Sequence, residues 1–71
     1  MSGSNSFIPT AIGIVKHAID ADQRGEYEEA LPLYRRALEH FMIGLKYETN
    51  PTGLYWAQVS IPIYSKRVRS L

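Results

Sequence analysis

Residues 18–48 read AIDADQRGEYEEALPLYRRALEHFMIGLKYE, and the fold turns on this run. Gly25 divides it. On its C-terminal side Tyr27, Ala30, Leu31, Tyr34, Ala37, Leu38, Phe41 and Leu45 recur at spacings of three and four, which makes an apolar stripe along one helix face. Glu26, Glu28 and Glu29 fall in the first turn, where unpaired N–H groups favour carboxylates. Pro32 lies about one turn inside and removes a backbone hydrogen bond, so a mild bend is expected there. The stripe ends around Asn50-Pro51, because a residue before proline avoids helical angles. On the N-terminal side Ile8, Ala11, Ile12, Val15, Ala18 and Ile19 form a second stripe, which predicts a helix from about Pro9 to Arg24. Pro9 suits its first turn, Ser6 or Thr10 can cap it, and Gly25 can take the left-handed conformation that stops it. So short a loop sends the second helix back antiparallel to the first.

Residues 52–71 fit two patterns. Leu54, Ala57, Ile61, Tyr64, Val68 and Leu71 follow a helical seam. Tyr55, Ala57, Val59, Ile61 and Ile63 also alternate as a strand would. A lone strand beside two helices would have to pair with another molecule. The helix is therefore the expectation, with a bend at Pro62, where an interior proline costs about 3 kcal/mol. The fold class expected is all-α: a small antiparallel three-helix bundle over residues 8–71, with a first hairpin like that of tetratricopeptide repeats and residues 1–7 as a flexible N-terminus.

Composition bounds the function. The chain has 71 residues, 45% hydrophobic and 21% charged, enough for one small domain. A domain this size buries roughly 60% of the surface its unfolded chain exposes. A complete ATPase, kinase or dehydrogenase does not fit. There is no cysteine, hence no disulfide and no thiolate metal site; small secreted domains usually need such staples, so an intracellular setting is expected. No apolar run reaches the 18 or more residues of a membrane span. Met1 to Ser6 has neither the charge nor the following apolar stretch of a signal peptide. All seven acids lie between Asp20 and Glu48, whereas the last 21 residues carry Lys66, Arg67 and Arg69 and no acid. Those three cations complement a helix C-terminus or touch a phosphate or an acidic peptide. Clustered aromatics and a longer basic stripe, the marks of nucleic-acid binding, are missing.

Catalytic constellations are missing too. There is no GxxxxGK[ST] phosphate loop. Gly13 and Gly44 stand alone in helical segments, where they permit close helix contact or tolerate exposure. His17 and Asp20 sit at i, i+3, but two ligands are too few for a metal site. His40 has no partner at catalytic spacing, and Glu28 and Glu29 read as solvated first-turn charges rather than an acid–base pair. No catalytic residue, cofactor or metal is expected. What remains is apolar surface outside the stripes: Ile14 and Ala21, then Leu33, Met42, Ile43 and Tyr47, then Trp56, Val59 and Ile63. Such residues mark a binding surface, a dimer face, or scattered exposure.

The sequence Gly25-x-Tyr27-x-x-Ala30-Leu31-x-x-Tyr34-x-x-Ala37-Leu38-Glu39-x-Phe41, preceded by Ala11-Ile12, Val15 and Ala18 and followed by Leu45-Lys46-Tyr47-Glu48, resembles the MIT (microtubule-interacting and trafficking) domain family. The likeness is greatest to the MIT domains at the N-terminus of the vacuolar-sorting AAA ATPases that disassemble ESCRT-III polymers. It covers residues 8–51 well. In the third segment Tyr64, Arg67 and Leu71 keep the family register and Val68 replaces an alanine. Ser65 stands where the family has leucine, and Arg69 where it has glutamate.

The resemblance implies an adaptor that binds C-terminal helical or extended peptides of ESCRT-III subunits, and so recruits an AAA ATPase for polymer disassembly in endosomal sorting. It implies a cytoplasmic domain recruited peripherally to endosomal membranes, with no direct membrane insertion, no nucleic acid, and assembly through an attached ATPase. The groove implied between the second and third helices comprises Met42, Ile43, Lys46, Val59, Pro62, Ser65 and Arg69. A second, between the first and third, comprises Val15, Trp56 and Ile63 and suits an extended proline-containing peptide. Arg69 would repel a basic peptide, so either Lys66, Arg67 and Arg69 select for an acidic partner or the domain uses a different surface. The alternative function is a structural oligomerisation module that pairs through residues 52–71.

Overall fold

The computed structural model describes residues 7–71, and the proposed Ser6 cap and the rest of residues 1–6 lie outside them. Three helices follow one another: α1 (Phe7–Gln23), α2 (Tyr27–Tyr47) and α3 (Pro51–Ser70). Among the described residues there is no strand. The strand pattern of residues 55–63 loses because α1 and α2 offer it no edge to pair with, while its helical seam has a face to cover. Thr10 is the fourth residue of α1 and is not a cap.

The hairpin turn follows from Gly25. Its φ of 77° is the left-handed conformation that costs a side-chain-bearing residue about 1–2 kcal/mol. Its N–H donates to the Asp22 carbonyl (3.0 Å), and the Glu26 N–H donates to the Ala21 carbonyl (2.9 Å). That pair of bonds satisfies the last carbonyls of α1 and aims the chain into α2. The second turn is built by side chains. Glu48 Oε1 accepts from the N–H groups of Thr49 (2.9 Å) and Asn50 (3.0 Å), and Asn50 Oδ1 caps α3 by accepting from Thr52 N–H (2.9 Å). Pro51 occupies the first position of α3, where no N–H is needed.

α1 and α2 pack closely because small residues line their contact. Ala18, Ala21, Ala30 and Tyr34 form one buried cluster; Ile8, Ala11, Val15, Ala37, Phe41 and Ala57 form the other. Gly44 is buried, and a Cβ there would fall 2.8 Å from Ile8 Cγ1, so this glycine is what lets the open end of the hairpin close. Gly13 has open space around it. Ala21 corrects the sequence reading. It is fully buried rather than on a flanking face, because the turn at Gly25 presses the last turn of α1 against Ala30. Ile12, Tyr27, Leu45 and Leu71 correct it in the other direction, since each belongs to an apolar stripe yet is exposed.

α3 packs chiefly on α2 and meets α1 in few places. Only Ala57 and Ser60 of α3 are buried; Leu54, Ile61, Tyr64 and Val68 of its seam are half-buried. Pro32 and Pro62 both lie within continuous helix. Each proline is exposed, and each frees the carbonyl four residues earlier, on exposed Glu28 and exposed Gln58, where water can take it.

Candidate functional site

Between α1 and α3 runs an open groove of about 290 Å³. Ile12, Val15 and Ile19 line one wall, at the i, i+3, i+7 spacing of a single helix face. Trp56 and Tyr64 line the other, and Phe41 of α2 forms the floor. Tyr64 is fixed by stacking on Tyr34, with ring centroids 5.7 Å apart. The charged group on the lining is Lys16, which is exposed. The site therefore offers an apolar trough with a cation at its edge. It can desolvate a few aliphatic or proline side chains and pair with one carboxylate.

At one end α3 is joined to α1 by a polar clasp. Arg67 of α3 donates to Asp22 of α1 through Nε to Oδ2 (2.7 Å) and through Nη2 to Oδ1. Tyr34 of α2 donates its hydroxyl to the same Oδ2 (2.8 Å). All three helices thus meet at one carboxylate. The paired hydrogen bonds from Arg67 hold the Asp22 carboxyl below its ordinary value, against the opposing effect of burial. Burial, then the hydrogen bond to Asp22, pushes the Tyr34 hydroxyl up to about 12. A bidentate guanidinium–carboxylate pair fixes orientation as well as contact, so the clasp sets the register of α3 against the hairpin.

The clasp also corrects the expectation of one basic face. Arg67 is turned to Asp22, while Lys66 and Arg69 remain exposed and without an ion pair among the described residues. Sequence reasoning missed the clasp.

The residues expected for the α1/α3 groove divide as follows. Val15 and Trp56 are brought together in it, and Ile63 lies outside its lining, exposed. Ile12, Lys16, Ile19, Phe41 and Tyr64 were not foreseen as lining, although the spacing of Ile12 and Ile19 about Val15 carried that signal. For the α2/α3 groove, Met42, Ile43 and Lys46 meet Glu39 in a shallow depression of about 450 Å³ on the outer face of α2. No residue of α3 lines it. Pro62, Ser65 and Arg69 share the flank of α3 set by their three- and four-residue spacing, Ser65 half-buried and the other two exposed; Val59 is half-buried and shares a face with Ile63.

Among the described residues there is no group of three or more metal-ligating side chains. His40 Nδ1 donates to the Arg36 carbonyl one turn earlier (2.9 Å). Among the described residues no helix is long and apolar enough to cross a membrane.

An antiparallel hairpin closed by small residues, with a third helix clasped across its end and an apolar trough left between first and third, defines a small three-helix bundle. The chain belongs to the MIT (microtubule interacting and transport) domain family, whose model matches residues 8–71. Among curated proteins it is similar to Protein SUPPRESSOR OF K(+) TRANSPORT GROWTH DEFECT 1 of Arabidopsis thaliana, with 49% identity over 47 residues, 66% of this chain and 11% of the relative. The chain therefore spans a small part of that relative's length. No solved structure matches it.

Proposed function

We propose that this MIT domain is an adaptor that binds C-terminal peptides of ESCRT-III subunits and brings an AAA ATPase to the polymer at endosomal membranes. The groove between α1 and α3 is the seat we assign to the peptide. The observation that carries this choice is the assembly of Ile12, Val15, Ile19, Trp56 and Tyr64 over Phe41 in one trough, with Lys16 at its edge. An extended segment with aliphatic or proline side chains fills the trough, and a carboxylate on it faces Lys16. The set Met42, Ile43, Lys46, Val59, Pro62, Ser65 and Arg69 is the second surface, for a helical peptide. There Arg69 favours an acidic residue and disfavours a basic one.

A heteronuclear NMR titration tests this reading with two peptides from ESCRT-III C-termini, one extended, acidic and proline-containing, the other helical and basic. The expected result is shifts at Val15, Ile19 and the Trp56 indole with the acidic peptide, weakened about fivefold or more by Lys16→Glu. Shifts confined to Met42, Ile43 and the Ser65–Arg69 flank would move the site to the second surface. Absence of shifts with both peptides, in a folded sample, would overturn the adaptor reading.

A further inference from the structure

The outer face of α3 exposes aromatic and aliphatic side chains beside cations. Tyr55, Trp56, Val59, Pro62 and Ile63 recur at the spacings of one helix face, on the side opposite the buried Ala57 and half-buried Tyr64 and Val68. Tyr55 is 60% exposed, Trp56 50% and Ile63 55%. The same face continues into Lys66 and, at its edge, Arg69, both exposed and unpaired among the described residues. No acid occurs from residue 49 to 71, while all seven acids lie between 20 and 48. The domain is thus electrically lopsided, with the positive end on the face that also exposes aromatic rings.

We infer that this face of α3 adsorbs to an anionic lipid surface, with the Tyr55, Trp56 and Ile63 side chains entering the headgroup layer and Lys66 and Arg69 meeting lipid phosphates and carboxylates. Three observations favour a bilayer over other occupants. Apart from Trp56, which also lines the α1/α3 groove, none of these residues lines either hydrophobic groove described above, so the rest of the face offers no cleft to a partner helix. Its apolar area is on the order of 500 Å², below the about 800 Å² per partner of a stable pair. The charge on it is of one sign, which suits a surface of the other sign and opposes a second copy. Aromatic rings with neighbouring cations prefer the membrane–water boundary, and each basic group adds to the attraction of an anionic leaflet. This is adsorption of a folded face, with no segment crossing the membrane, and of its residues Trp56 alone is shared with the groove assigned to peptide.

Trp56 is the one tryptophan of the chain, so it reports directly from the patch. The test mixes the chain with phosphatidylcholine vesicles with and without phosphatidylserine, and reads Trp56 emission and co-sedimentation. The expected result is a blue-shifted Trp56 and about tenfold or more stronger binding to the phosphatidylserine vesicles, reversed by high salt and lost in the Lys66→Glu/Arg69→Glu variant. Far-UV circular dichroism confirms that the variant is folded; if it is not, the salt dependence of the unaltered chain decides. Equal binding to both vesicles, or none to either, overturns the proposal. So does a blue shift that grows with protein concentration alone alongside a doubled mass in light scattering, which would assign the face to a second copy. A blue shift caused by an acidic peptide but not by the vesicles likewise overturns it, and leaves the adaptor reading intact.

Discussion

α1 and α2 each bury five residues, and α3, of similar length, buries two. The hairpin hides its apolar groups in a contact rich in alanine and glycine, with Ile8, Val15, Tyr34 and Phe41 as its larger buried side chains. α3 divides its apolar groups between an inner seam and an outer ridge, and fixes itself with a clasp of charge and hydroxyl at Asp22. Close packing of small residues gives a rigid platform. A helix with few buried groups and one orienting clasp is a more loosely attached part, and parts with few buried contacts are where ligand-binding elements are drawn from. The groove assigned to peptide lies at the seam between the two, so the platform gives it a floor and α3 gives it an adjustable wall.

The largest effect that would break the comparison is loss of the platform itself. Phe41 is the floor of the groove and shares one buried cluster with Ala11, Ala37 and Ala57, one from each helix. Phe41→Ala is expected to cost about 3–5 kcal/mol, and a domain this small has little more than that to lose. Thermal unfolding followed by circular dichroism should show the transition collapse; a loss under 1 kcal/mol, far below the usual cost, would deny the platform its role.

The next effect separates the two parts. Asp22→Asn removes the carboxylate from Arg67 and Tyr34, and is expected to strip amide protection from α3 while α1 and α2 retain theirs. Amide exchange read residue by residue measures it. The same clasp gives a pH dependence with a worked sign. The folded Asp22 carboxyl lies below its ordinary 3.8, so its contribution is full above that pH and fades as pH falls through the lowered value. The folded Tyr34 hydroxyl lies near 12 against an ordinary 10, so its contribution is full below pH 10 and fades between 10 and 12. Loosening of α3 in these two windows, and between them none, is the expected profile in an Arg67 side-chain NMR titration.

Two smaller effects sharpen the comparison by strengthening α3. Pro62→Ala restores a donor to the free Gln58 carbonyl on an exposed face, and is expected to add about 1–3 kcal/mol. Ser60 is buried, and among the described residues its hydroxyl has no hydrogen-bond partner. Ser60→Ala is expected to add about 1 kcal/mol. Urea midpoints of both variants check the sign, and a destabilising result in either would mean that α3 is held by contacts other than its seam and clasp.

The hairpin was legible in the sequence because its signals are local: a glycine that must turn, a stripe that repeats, acids in a first turn. Ala21 escaped because its burial comes from the turn that follows it rather than from its place in the stripe. The third helix was legible as a helix through Leu54, Ala57, Ile61, Tyr64 and Val68, yet Ser60 escaped because hydrophobic patterning ignores a serine. Val15 and Trp56, paired across α1 and α3 through the family likeness, line one trough. Lys16 was passed over because a lone lysine on a helix reads as solvated. The clasp was illegible, since Asp22 lies 12 residues from Tyr34 and 45 from Arg67, and no spacing rule reaches that far.

Native-state amide hydrogen exchange across all three helices tests most directly whether a rigid hairpin carries a more loosely attached third helix. The account predicts that the amides of Tyr34, Ala37 and Phe41 exchange only through global unfolding, whereas those of residues 57–68 exchange through a separate opening of lower free energy that peptide binding suppresses. A single opening free energy shared by α1, α2 and α3, unchanged by peptide, would contradict it.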